Sequence, residues 1–334
     1  MREDDVMTRR LPIAALAFVL LAMACTGDSN PGPSTAATTS ASSTFAAEVA
    51  SSDLAVGSPE NVQIGVFSST AESGVEVLSF GQIGVAFDFF GADGSQPAAP
   101  GPATTASFVA APGNSPGDTS GAGGSTLTLP SEVAGVYVTP EVMLPEAGVW
   151  KATVTMTVDG GAPVSLEAAF NVYPEHRIPA PGDEALATEN LTIDSEHAPA
   201  VAIDSRAQDG AKIPDPELHD TTIAQALQRG RPALVQFATP VYCVSNFCGP
   251  TVEAQEELAR EYGDVAEFIH IEIWRKKTSE KGVVNEAAAD WLLREGNLTE
   301  PWLYLIDAQG IIVERWGPLF DLDEVRASLD ALSA

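Results

Sequence analysis

Two thiols carry the chemistry this chain could do. Cys243 and Cys248 lie between the apolar run 233–238 and a helix-like stretch that opens at Gly249-Pro250. At a strand-to-helix junction the helix N-terminus favours a thiolate, the form of cysteine that attacks disulfides. The reaction open to such a pair is exchange: a thiolate attacks a sulfur, a mixed disulfide forms, and the second thiol resolves it. The pair could equally be a structural clip. The chain's third cysteine, Cys25, ends an apolar run near the N-terminus and has a different setting.

Other candidate ligands are sparse. His176, His197 and His219 fall in or beside a stretch rich in Pro, Asp, Glu and Ala, far apart in sequence, and read as solvated loop residues. His270 shares one strand face with Phe268 and Glu272, opposite Ile269, Ile271 and Ile273, and reads as a satisfied strand histidine. No metal ligand set and no cofactor are expected. Arg275-Lys276-Lys277 and Lys281 form a basic cluster in an acidic chain. On the rim that holds the cysteines it would favour a thiolate and steer an acidic partner. A solvated basic loop is the plainer reading.

The elements around the pair alternate in type. A helix is expected over 221–229, capped by Asp220 and stopped at Gly230, then a strand over 233–238 and a helix over 251–262. A strand over 266–273, a helix over 285–294, strands over 302–306 and 311–316, and a final helix with Leu322, Val325, Leu329 and Leu332 on one face follow. From about 56 to 173 the pattern is β. The run 148–158 alternates, with Trp150, Ala152, Val154, Met156 and Val158 sharing one parity. Short strands between turn signals argue for a β-sandwich, with 91–125 as a long loop. Residues 174–219 read as a linker.

Composition sets outer limits. The chain has 334 residues and a formal net charge of −29. That charge repels phosphate backbones, so nucleic acid is not an expected partner. Arg9-Arg10 precede an apolar run from Leu11 to Ala24, which is shorter than a membrane span and has the length of a signal-peptide core. The Ser/Thr/Ala/Gly/Pro-rich residues 26–55 read as a flexible tether.

Several motifs resemble known families. Leu21-Ala-Met-Ala-Cys25 resembles a bacterial lipobox, although Leu21 stands one residue further from the cysteine than is usual. The resemblance implies a signal peptide over 1–25, lipidation of Cys25, and a protein anchored on the extracytoplasmic face of the cell membrane, where disulfides persist. The corner Pro145-Glu-Ala-Gly-Val-Trp150 resembles that of bacterial immunoglobulin-like domains. Over residues 220–334, Phe237-Ala-Thr-Pro-Val-Tyr-Cys243, Glu300-Pro301-Trp302, Gly310 and Gly317 resemble the thioredoxin-like superfamily. That resemblance implies a cis-proline at Pro301 shaping a substrate groove, and protein thiols or disulfides as partners. It departs from the family in spacing, since four residues separate the cysteines where the usual motif has two. Either Cys243 is the nucleophile and Cys248 resolves, or Cys248-Gly-Pro-Thr251 is the motif; the first needs the smaller insertion.

The resulting expectation is two domains. An all-β immunoglobulin-like sandwich (56–173) is followed by an α/β thioredoxin-like fold (220–334). The expected function is a membrane-anchored thiol–disulfide oxidoreductase. The alternatives are a non-enzymatic binding or scaffold lipoprotein with a structural disulfide, and a copper-handling protein of the same superfamily.

Overall fold

Alternating apolar and polar side chains decide most of the first half. The computed structural model describes residues 44–70, 74–113, 126–127, 134–243, 247–278 and 281–333. Cys25, the apolar run before it and most of the 26–55 stretch lie outside them. The chain runs through β1 (Thr44–Val49), β2 (Leu54–Ala55), β3 (Pro59–Glu60), β4 (Gln63–Thr70), β5 (Gly74–Val77) and β6 (Gln82–Phe89). It continues through β7 (Ala99–Ala110), β8 (Thr126–Leu127), β9 (Gly135–Val138), β10 (Val142–Met143), β11 (Gly148–Val158) and β12 (Pro163–Tyr173). In β11, Trp150, Ala152, Val154 and Met156 are buried, the parity expected when successive side chains point to opposite faces. Trp150 Nε1 donates to the Glu146 carbonyl at 2.8 Å and the Tyr137 hydroxyl to that of Phe80 at 2.8 Å. Both large rings are thus buried with their polar tips satisfied.

The second half is built on a smaller sheet. It contains α1 (Ile223–Arg229), β13 (Ala233–Ala238), α2 (Cys248–Tyr262), β14 (Glu267–Glu272), β15 (Trp274–Lys277) and β16 (Gly282–Val284). Then come α3 (Glu286–Leu292), β17 (Leu293–Arg294), β18 (Asn297–Leu298), β19 (Trp302–Ile306), β20 (Ile312–Trp316) and α4 (Leu322–Leu332). The strand order is β14-β13-β19-β20, with β13 parallel to β14 and antiparallel to β19. Every residue of β13 is buried, Gln236 included, as expected of a mostly apolar strand covered on both faces. Val235 and Phe237 pack with Trp291 and Tyr304 on one face, and Leu234 packs with Val252, Leu305 and Leu329 on the other.

The expected fold class is not what these residues build. Among them strand outweighs helix, 40% to 18%, in several sheets with only four α-helices, and an α/β thioredoxin-like fold is not indicated. Two physical causes stand out. The helix expected over 285–294 stops at Leu292, because Leu293 turns to extended backbone and opens the β17–β18 hairpin. In the first half the expected sandwich gives way to one hydrogen-bonded path, β1-β4-β9-β7-β6-β11-β12-β2, with β5 on β4 and β8 on β11. The strand that makes it continuous is β7, in the stretch expected to be a loop, which pairs with β6 on one side and β9 on the other.

The two halves share a core. Residues 41–334 form one compact unit. Ala111 and Val136 from the first half pack with Phe247 and Leu319 from the second. Residues 174–219 belong to the same packing: Ile178, Ala202, Ile203, Ala207 and Leu218 are buried. Trp291 Nε1 donates to Thr188 Oγ1 at 2.8 Å, and the Ile223 amide donates to Asn190 Oδ1 at 2.8 Å.

Candidate functional site

Cys243 and Cys248 are joined in a disulfide, with their Cα atoms 5.9 Å apart. β13 delivers the first of them. The chain leaves the strand at Ala238, the Val241 amide donates to Ser205 Oγ at 3.2 Å, and the Cys243 amide donates to the Thr239 carbonyl at 3.1 Å. Cys248 is the first residue of α2, three positions before the expected start. Pro250 is tolerated there because the amides of a first helical turn have no intrahelical acceptor. The two cysteines differ in exposure. Cys248 is 0% exposed and packs against Val252 and Leu258, whereas Cys243 is only half-buried. The Cys248 amide also donates to Cys243 Sγ at 3.4 Å.

Pro301 is buried, and the Glu300–Pro301 peptide is cis. Pairing of Phe237 with Trp302 sets Pro301 beside the end of β13 from which the chain runs to Cys243. The basic cluster falls on the β15–β16 hairpin and is engaged locally. Lys277 lies over the Trp274 ring at 3.9 Å, and Arg275 faces Glu286 at 3.6 Å.

The histidines depart from the sequence reading. His219 and His270 are buried, with their rings 5.1 Å apart, and both face Asp204. His219 Nε2 lies 3.4 Å and His270 Nδ1 3.6 Å from Asp204 Oδ2. Asp204 is itself 0% exposed. Arg206 orients its carboxylate, with Nη2 donating to Oδ2 at 2.8 Å and Nε to Oδ1 at 3.1 Å. Burial raises the Asp204 pKa, but its polar and charged neighbours, the Arg206 guanidinium among them, outweigh it, so the group is held well below the usual carboxylate range. Burial pushes the His270 imidazole down to about 3. No spacing motif announces this trio. Asp204 lies in the aperiodic stretch, and its partners come from the residues before α1 and from β14.

His176 is half-buried. Its Nδ1 lies 2.8 Å from Arg315 Nη2 and 3.0 Å from the Asp53 carbonyl, and Arg315 Nη1 donates to Asp53 Oδ2 at 2.8 Å. Burial raises the Asp53 pKa, yet the His176 hydrogen bond and the Arg315 charge bring it below the ordinary value. A cavity of about 470 Å³ adjoins this group, lined among others by Asp53, Glu60, His176, Trp302 and Arg315, and neither Cys243 nor Cys248 lines it. Among the described residues no helix is long and apolar enough to cross a membrane.

No family model matches the chain, and no curated protein or solved structure matches it. The functional reading therefore rests on the geometry of the site itself.

Proposed function

We propose that the chain is an extracytoplasmic thiol–disulfide exchange protein acting through Cys243 and Cys248 on protein thiols or disulfides. The observation that carries the reading is a bonded pair, one cysteine half-buried and the other fully buried, at the start of a helix. In the oxidised protein an incoming thiolate attacks the half-buried Cys243 Sγ. The Cys243–Cys248 bond breaks, and its electron pair leaves on Cys248, where the N-terminus of α2 favours negative charge. In the other direction the Cys243 thiolate attacks a partner disulfide and releases one partner thiolate. Cys248 then attacks Cys243 Sγ, releases the second, and closes the internal bond. The disulfide itself supports an oxidising compartment. Anchoring through a lipid on Cys25 belongs to the same proposal and rests on the sequence.

The test is a redox titration of the intact chain in glutathione buffers, with each cysteine changed to serine in turn. The pair is expected to exchange within the accessible range. Cys248→Ser should leave a thiol that reacts readily with a thiol reagent, and Cys243→Ser one that reacts slowly, because access controls thiol reactivity. A pair that resists reduction down to about −300 mV is a structural clip, and that result would overturn the proposal.

A further inference from the structure

Two buried acceptors face one another in the interior: His270 Nδ1, without a hydrogen-bond partner among the described residues, and Asp204 Oδ2, which accepts from Arg206. His270 Nε2 lies 3.2 Å from the Ala238 carbonyl, an acceptor, so the ring proton sits on Nε2. Nδ1 then carries a lone pair, and it points at a carboxylate oxygen, Asp204 Oδ2, 3.6 Å away. His219 Nε2 approaches the same oxygen at 3.4 Å, and among the described residues both of its ring nitrogens lack a hydrogen-bond partner, as does His270 Nδ1. Buried polar atoms without partners are rare in native proteins and call for an occupant.

The spacing identifies one. Tetrahedral zinc bonds to histidine nitrogen and carboxylate oxygen of about 2.0–2.2 Å imply ligand-to-ligand edges of about 3.3–3.6 Å. The two measured separations match that edge, and the three ligand atoms lie within 4.8 Å of one another. The Nε2 proton of His270 aimed at a backbone carbonyl is the outer contact that metal-bound imidazoles typically make. Charge agrees. Arg206 faces the carboxylates of Asp204, Asp215 and Glu256, so carboxylates outnumber the guanidinium in this group.

We infer that Asp204, His219 and His270 form a site for one divalent transition-metal ion of the zinc type, with Arg206 orienting the carboxylate and neither cysteine taking part. Two imidazoles and a carboxylate suit such ions better than calcium or magnesium, which take oxygen ligands. The site also bears on the loop that carries the thiols, because Ser205 Oγ accepts from Val241 and His270 reaches Ala238.

The experiment strips the intact chain with a chelator and titrates it with Zn²⁺ by calorimetry, then with Co²⁺ by visible absorption. One equivalent is expected, with a tetrahedral cobalt spectrum free of thiolate charge transfer and unchanged in the Cys243→Ser/Cys248→Ser variant. His219→Gln and His270→Gln should weaken zinc binding by more than the ~10–100-fold that loss of an outer contact costs. Should those variants fail to fold, X-ray absorption of the zinc-loaded natural chain reads the same ligands, with imidazole scattering expected and sulfur not. Absence of saturable uptake, sulfur in the shell, or undiminished binding by the folded histidine variants would overturn the assignment.

Discussion

Glu300 shows how far one side chain's fate lies outside its own sequence neighbourhood. It precedes Pro301, and its Oε2 is buried with no partner among the described residues. Burial pushes its carboxyl up to about 7, against the opposing pull of Lys277. The folded state therefore keeps a proton that the unfolded chain gives up nearer 4.5. Its stabilising share is whole below that lower value and drains away as pH rises through the upper one. Glu300→Gln removes the titration. Urea unfolding should find the variant equal to the natural chain near about pH 4 and more stable by about 1–3 kcal/mol near about pH 8.5. At this scale the cysteine pair was legible because thiols are scarce and stand between two recognisable elements. His219 was not. Its burial depends on Asp204 and Arg206, which come from a stretch with no periodicity to betray them.

Secondary-structure elements were most legible where burial imposed a period. β13, β19 and α4 fall where their apolar patterns predict them. β7 was hidden because its sequence, Ala-Pro-Gly-Pro-Ala-Thr-Thr-Ala-Ser-Phe-Val-Ala, leaves most of its side chains outside the core. Its ladder bonds to β6 and β9 hold it extended in place of an apolar face. The start of α1 was misplaced for a similar reason. Asp220 was the expected cap, but Thr222 accepts from the Gln225 amide at 3.1 Å while the Gln225 side chain accepts from the Thr222 amide at 3.2 Å. That reciprocal pair satisfies two amides which would otherwise be unpaired. Thr222→Ala should cost about 1 kcal/mol by urea denaturation. Asp220→Ala, which removes no cap bond, should cost measurably less.

At the scale of the molecule, the decisive contact joins residues 256 positions apart. Gln63 Nε2 donates to the Leu319 carbonyl at 2.6 Å, and the Leu319 amide donates to Gln63 Oε1 at 3.1 Å. A side-chain amide thus completes the hydrogen bonding of a buried backbone unit, just where Leu319 enters the core shared with Val136 and Phe247. Nothing near either residue in the sequence announces the partnership. Far-UV circular dichroism and tryptophan fluorescence should report one coincident unfolding transition for the natural chain, because both halves contribute to that core. Gln63→Ala leaves two backbone groups unpaired and should lower both midpoints together, a loss of about 2–4 kcal/mol of stability. Divergence of the two probes in the natural chain would mean that the halves unfold independently.

The passage from 174 to 219 has a practical corollary for anyone treating the C-terminal half as a portable cassette. Thr188 receives the indole of Trp291, Asn190 receives the first amide of α1, and Gly182 and Ala185 donate to the carbonyls of Ile312 and Gly310. Transplanting 220–334 alone would tear a wall from that half's own interior. A graft cut any later than residue 174 carries the cysteines without the frame that holds them.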